Sequence, residues 1–414
     1  MNITNERSTL VSSITLKEVL EKACCRISDS ENLLYGELDS AMAGLSKVLL
    51  EAIAESEVER RTGVRLHERS ETRADHRNGY RYRKVQMSYQ VIEIRIPRLR
   101  GQGFVPSFLE PNHRAIREVE DWVAKAYLSG LSRAEVIRLL ESVTGCRPSD
   151  GLLKRVQNEI DKQVKAFRER VLVGRYQYLF LDGAWAKDIV GIRASRICIL
   201  TAVGVTYSGV KEILGFERVA SESESSWRGF LNRLVERGLR PGSLDLVVSD
   251  EHKGLLAAAS EVLGDVPHQL CWAHRVRNVW ESVLAADRKE VVADLRLVFR
   301  AEHLYAAKDA FRRWEKRWQE KYPNVVASVS EDLGQLLAFY GCDPLHWEYV
   351  RTSNPIERAF RELRRQQFGC GAFANRDACN RAVYRVFNWL NEIWKDKDIW
   401  QPRLRKNKQI AKAA

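Results

Sequence analysis

Two apolar runs in this chain stop on a carboxylate. Asp182 follows the run in "YQYLFLDG", and Asp250 follows "LDLVV" in "LDLVVSDEHKGL". A charged group at the carboxyl end of a buried strand is poorly solvated, so it needs a partner, a cap or a cation. Alone, each Asp reads as a turn or helix-cap residue. At matched strand ends the two repel, and the arrangement is stable only if one is protonated or a divalent cation lies between them. A third acid, Glu357, stands in "RTSNPIERAFRELRRQQFG". There Ile356, Phe360 and Leu363 fall on one helical stripe, while Glu357, Arg361 and Arg364, with Arg358 beside them, face the polar side. An acid on a basic ridge suits a cation next to a phosphate backbone. Its structural competitor is a capping box, with Asn354 as N-cap, Pro355 first in the helix and Glu357 third. Three carboxylates holding divalent cations such as Mg²⁺ or Mn²⁺ could activate water against a phosphodiester.

The flanking sequence supplies elements that could position these groups. "YQYLFLDG", "RICILTAVGVT" and "KEILGFERV" read as three consecutive strands, the last two joined by a turn at Ser208-Gly209. An amphipathic helix, "SSWRGFLNRLVERG", precedes the strand that ends on Asp250. Strand, strand, strand, helix, strand is the opening of a ribonuclease H-like α/β core, a mixed sheet flanked by helices in which the first and fourth strands lie side by side. Between "HQLCWAHRVRNV" and Glu357 the spacing is helical and rich in Trp and basic residues, as in "FRRWEKRWQEKY". Such a core does not need this stretch, so it reads as an all-helical insertion, with Trp314 and Trp318 as core residues. Cys271 and His274 have zinc-like spacing, but no second pair completes a tetrahedral site, which favours a structural role. His274 and the neighbouring Arg275, Arg277 and Asn278 are candidates to reach DNA. His252 reads as a support for Asp250.

Upstream, residues 10–62 have helical spacing and mixed charge. Residues 63–114 read as a basic β-hairpin or small sheet, with a turn signal at Asn78-Gly79 and phosphate-contact candidates at Arg77, Arg81, Arg83 and Arg98. Residues 115–170 read as three helices, the second opening with a capping box from Ser132 to Glu135. Helix, short turn and helix predict a helix-turn-helix whose last helix offers Lys154 and Arg155 to a groove. The net charge of +12 points to a polyanionic partner. Eight cysteines without a repeated CxxC pair give neither a disulfide framework nor a zinc ribbon. The N-terminus lacks a signal-peptide layout, and no apolar run approaches the ~20 residues of a membrane span. A cytoplasmic, nucleoid-associated protein is expected.

The ordered set "HRNGYRYRKV", "IPRLRGQGF", "LDGAWAK", "GFERVASESESSWRGFLNRLVERGL", "VVSDEHKGL", "HQLCWAHRVRNV", "RTSNPIERAFRELRRQ" and "VFNWLNEIW" resembles transposases of bacterial insertion sequences related to the Mutator elements. These are DDE transposases of the ribonuclease H-like superfamily. The resemblance implies that Asp182, Asp250 and Glu357 are a catalytic triad, and that Cys271 and His274 form a CxxH element at the start of an inserted helical domain. It further implies Mg²⁺ or Mn²⁺ as cofactor, terminal inverted repeats and target DNA as partners, and a homo-oligomer acting on paired ends. Glu251 departs from the pattern, where a small residue is expected, and adds charge beside the site. The domains expected are 1–62 helical, 63–114 basic β, 115–170 helix-turn-helix, 171–278 core, 279–350 insertion, 351–400 core completion and 401–414 a basic tail. Two other readings remain at this stage: a ribonuclease H-like nuclease or resolvase, and a DNA-binding repressor derived from a transposase.

Overall fold

A computed structural model describes residues 38–68, 70–87, 91–101, 103–109, 117–144, 147–190, 193–367 and 371–400. Most of the N-terminal helical expectation and the basic tail lie outside the described residues. The chain divides into two compact units, Met1–Tyr127 with Leu131–Ile160, and Leu128–Gly130 with Asp161–Ala414.

In the first unit, helix α1 (Leu38–Thr62) packs on an antiparallel hairpin of β1 (Arg77–Gln86) and β2 (Val91–Leu99). Alternation along β2 turns Ile92, Ile94 and Ile96 inward against Ala54 and Val58 of the helix. The Asn78-Gly79 signal is used differently from the hairpin turn expected of it. Gly79 adopts φ 68° inside β1, where the pairing register shifts between Arg77 and Tyr80. A glycine in the left-handed region accommodates such a bulge, which bends the strand rather than reversing it. Three helices follow, α2 (Arg117–Leu128), α3 (Arg133–Thr144) and α4 (Asp150–Glu169). The capping box of α3 is formed. The Ser132 N–H donates to Glu135 Oε2 at 2.7 Å, and the Glu135 N–H donates to Ser132 Oγ at 3.3 Å.

The second unit is built on five strands, β3 (Tyr176–Val190), β4 (Arg193–Thr206), β5 (Lys211–Val219), β6 (Leu246–Ser249) and β7 (His268–Leu270). Their spatial order is β5-β4-β3-β6-β7. The pairs β3–β4 and β4–β5 are antiparallel, whereas β3–β6 and β6–β7 are parallel. One face carries Leu179, Leu181, Leu200 and Val247 and is covered by α5 (Glu224–Glu236) and α6 (Lys253–Leu263) through Trp227, Phe230, Leu231, Leu255 and Ala258. Alternation sends Tyr178, Phe180 and Asp182 to the other face, along with Phe216 of β5. There Phe216 meets Phe387 of α14 (Arg376–Trp394) edge-on at 5.6 Å.

Between β7 and the last two helices the described chain is helical: α7 (Trp272–Ser282), α8 (Arg288–Phe299), α9 (Leu304–Trp318), α10 (Pro323–Glu331) and the short α11 (Leu333–Leu336) and α12 (Trp347–Val350). Trp314 and Trp318 are buried, with indole N–H groups donating to Val291 O at 3.1 Å and Asp294 Oδ2 at 3.0 Å. Helix α13 (Asn354–Gln367) then packs on β3, β4 and α14. Among the described residues no helix is long and apolar enough to cross a membrane.

Candidate active site

The parallel register pairs Phe180 with Val248, so Asp182 and Asp250 each stand two residues further along neighbouring strands and fall on the same face. Their placement differs in one respect from the strand ends expected. Asp250 lies just beyond β6, but Asp182 is in the interior of β3, which runs on for eight more residues to Val190. The edge of β3 that β6 covers up to Phe180 is therefore uncovered by β6 at Asp182. Asp182 is 6% exposed and takes the Gly183 N–H on Oδ1 at 2.8 Å. Burial, and next the charge of Asp250, push its carboxyl up to about 7. Asp250 accepts the His252 backbone N–H on Oδ1 at 3.2 Å. The His252 ring caps α6 by accepting the Leu255 N–H at 3.3 Å, so this residue supports Asp250 through its backbone.

Glu357 lies in the first turn of α13, on the helix that packs against β3 and β4. The capping box drawn from sequence is absent. The helix begins at Asn354, one residue earlier than that box requires, and Ser353 O accepts the N–H groups of Ile356 and Glu357 at 3.0 and 3.2 Å. The Glu357 carboxylate makes no hydrogen bond or ion pair to any described residue. Ile356, Ala359, Phe360 and Leu363 bury the opposite stripe, and Arg358, Arg361 and Arg364 are exposed. Among the described residues, no three His, Cys, Asp or Glu side chains converge closely enough to hold an ion. The structure thus brings Asp182 and Asp250 together, and leaves Glu357 outside the pair. The pair itself fits a hard divalent cation: two adjacent carboxylates, one buried and destabilised as an anion by the other, are relieved by positive charge between them.

A further carboxylate, without a role in the sequence reading, stands beside this pair. Glu222 accepts the Trp227 indole N–H on Oε1 at 3.1 Å and lies 3.9 Å from the Cys198 thiol. Burial raises its pKa, and Asp250 adds to the rise while His252 opposes it. It occupies space left by Gly183, where an added Cβ would come within 3.0 Å of Glu222 Oε1 and 2.9 Å of Cys198 Sγ. Its position in "SESESSW" was visible, but its partners come from separate segments.

Cys271 and His274 open α7. The thiol receives the Ser353 N–H at 3.2 Å and lies 3.3 Å from Ser353 Oγ, joining the end of β7 to the start of α13. Burial pushes this thiol up, but His274 and the Ser353 hydroxyl outweigh it, and the net direction is down. The approach of the thiol as a hydrogen-bonding partner, opposed by burial and helped by the charges of Cys271, Asp182 and Asp250, holds His274 at about 9. His274 Nδ1 is buried without a hydrogen-bond partner among the described residues.

The basic residues singled out from sequence separate into two groups. Arg77 is 12% exposed and paired with Glu55 at 2.6 Å, Arg155 with Glu120 at 2.5 Å, and Arg81 donates to Phe104 O at 2.9 Å. Arg275 is 4% exposed and lies between Glu251 and Asp332, while Asn278 donates to Glu251. Glu251 is thereby turned to α7, and its charge is matched there rather than added to the site. Arg98, Lys154 and Arg277 are exposed, and Arg83 is half-buried.

Residues 17–397 match the sequence profile of the family described as "Transposase, Mutator family". The chain belongs to this family of transposases. Relatives include the transposase for insertion sequence element IS406 of Burkholderia multivorans (strain ATCC 17616 / 249), 32% identical over 365 residues, covering 87% of this chain and 93% of that one. The transposase for ISRM5 of Rhizobium meliloti (strain 1021) is 29% identical over 368 residues, covering 88% and 92%. That for IS1081 of Mycobacterium tuberculosis (strain ATCC 25618 / H37Rv) is 30% identical over 372 residues, covering 88% and 89%. In this Mutator-family chain the profile spans both units, so the Asp182–Asp250 pair and the N-terminal hairpin and helices fall within one matched region.

Proposed function

We propose that this chain binds the terminal inverted repeats of its insertion sequence and catalyses metal-dependent cleavage and transfer of the DNA strand, with Asp182, Asp250 and Glu357 as a DDE triad. The observation that carries this reading is the side-by-side placement of Asp182 and Asp250 on the parallel β3–β6 pair, with the Asp182 carboxyl pushed up by burial and by its neighbour. The order β5-β4-β3-β6-β7, with antiparallel and then parallel pairing, supports a ribonuclease H-like core. Two Mg²⁺ or Mn²⁺ ions bound by the triad would supply Lewis-acid polarisation of the phosphodiester and a lowered pKa for attacking water.

The chain's own groups prepare that site. The Gly183 and His252 N–H groups orient one oxygen each of Asp182 and Asp250, and burial excludes water from Asp182. Arg358, Arg361 and Arg364 on α13 offer exposed cations to the DNA backbone. No covalent protein intermediate is required. Helices α2–α4 serve as the helix-turn-helix, with Lys154 presented to a groove, and the exposed Arg98 adds phosphate contact from the hairpin. The protein acts as a homo-oligomer on paired ends in the cytoplasm, where the nucleoid supplies the target.

The test uses purified full-length protein and a plasmid carrying both ends of its element. Asp182→Asn and Asp250→Asn should each lower cleavage by at least about a hundredfold, the equivalent of several kcal/mol of transition-state stabilisation. Both should still shift end DNA in Ca²⁺. Cleavage that persists in EDTA, or in either variant, overturns the reading.

A further inference from the structure

Past Asp182, β3 and β4 stay paired, Trp185 with Cys198, Lys187 with Arg196 and Ile189 with Ala194. β6 pairs with β3 only from Tyr178 to Phe180 and β5 follows β4 only as far as Cys198, so beyond the Trp185–Cys198 pair β3 and β4 run on as a two-stranded extension. One face of the extension is anchored. Ala184, Ala186 and Asp188 are buried there, and Asp188 is bound by Arg218 through Nε at 2.9 Å and Nη2 at 2.5 Å. The strand edge is also held, with the Ile189 N–H donating to Phe373 O and the Phe373 N–H to Lys187 O, both at 2.9 Å.

The other face is held open to solvent by the same anchoring. Trp185 is 43% exposed and Ile189 41%, and both Lys187 and Arg196 are exposed. The Arg196 guanidinium lies 4.1 Å from the centroid of the Trp185 ring. Lys187, Arg193 and Arg196 form no ion pair with any described residue. Two cations directly opposite one another across a strand pair destabilise it, and an exposed indole beside them adds nothing to the core. The combination suits a ligand that carries both a flat π-surface and negative charge. It begins three residues from Asp182, about 10 Å along the strand, on the face of the ribbon opposite the one that carries the Asp182 side chain.

We propose that Trp185 and Arg196 form a stacking subsite for an unpaired nucleobase of the DNA strand being processed, with Lys187 on the same face taking an adjoining phosphate. A paired base in duplex DNA shows only its edge, so an indole beside the groove can stack only on a base that has left the helix. The subsite therefore favours single-stranded or locally opened DNA over intact duplex. The proposal deepens the strand-cleavage reading by naming the form of substrate the site accepts.

The experiment measures equilibrium binding of the full-length protein to a short oligo-dT and to a blunt mixed-sequence duplex, in EDTA at fixed moderate salt, with thermal melting of every variant. Trp185→Ala should weaken oligo-dT binding about tenfold while duplex affinity changes by less than about twofold. Trp185→Phe should recover most of the loss, and Trp185→Leu, apolar but without a π-face, should not. Loss of oligo-dT and duplex binding in equal measure, recovery by Leu as well as by Phe, or unchanged oligo-dT affinity in Trp185→Ala would each overturn the subsite. Asp182→Asn should bind oligo-dT as wild type does. Failure of the triad assignment would appear in cleavage without touching this measurement.

Discussion

At the scale of single residues, Glu357 and Gly183 are the positions where the structure sharpens what to expect. Glu357 caps nothing and meets no described partner, so Glu357→Gln should melt with wild-type protein. It should also lose cleavage and strand transfer, because a neutral amide is a poor ligand for a hard divalent cation. Glu362→Gln is the control: that side chain pairs with Arg365 at 3.2 Å, and five residues along a helix turn it about 140° away from Glu357. An active Glu357→Gln, or an inactive Glu362→Gln, means the third acid has been assigned wrongly. Gly183→Ala would drive a methyl into Cys198 Sγ and Glu222. The expected cost is about 1–3 kcal/mol, as for other overpacked interiors. The double change with Cys198→Ala should recover part of the melting temperature, and no recovery would show that the clash lies elsewhere. Glu222 explains why such a site is hard to see in one dimension: Trp227 is five residues away, but Cys198 and Gly183 reach it only once the strands pair.

At the scale of elements, sequence periodicity found the strands, the α3 capping box and the helical stretch after β7, because those depend on local pattern. It misplaced the end of β3. "GAWAKDIV" alternates small, charged and apolar residues like a loop leaving a sheet, and what keeps it extended is remote: the Arg218 guanidinium on Asp188 and the backbone of Phe373. Likewise sequence displays the charge of Arg77, Arg155 and Arg275 and hides Glu55, Glu120, Glu251 and Asp332, which pair with them. The β6–β7 pair carries a pH dependence of its own. Burial lowers the His268 imidazole from 6.5 to about 4, and its Nε2 lies 2.7 Å from Ser249 Oγ. Below pH 6.5 the unfolded chain takes up a proton that the folded chain resists, so stability is full above that pH and falls as the pH drops towards 4. After allowance for residual solvent at this half-buried side chain, His268 should account for about 2 kcal/mol of that slope. Denaturant titrations from pH 7 to about 4 should show a shallower decline for His268→Gln than for wild type. Parallel declines would remove His268 as the cause.

At the scale of the whole molecule, a net charge of +12 should make DNA affinity steeply dependent on salt. If six or more phosphates are neutralised, the dissociation constant of the full chain for end DNA should rise about a thousandfold between 50 and 200 mM salt. A flat salt profile would mean that the internally paired arginines are typical of the surface and the exposed ones are not used. The contact between Cys271 and Ser353 bears on how such a molecule tolerates change. These residues are 82 apart in sequence, yet sulfur and amide nitrogen are 3.2 Å apart, and the Trp272 N–H donates to Arg351 O at 3.0 Å just beside them. The helical stretch between them is therefore a loop whose two ends are already tied. Lengthening a tied loop costs only about 0.6 kcal/mol for each doubling, and the knot itself does not move. Segments can be gained or lost between α8 and α10 while the first turn of α13, and Glu357 with it, stays at the same place over the sheet.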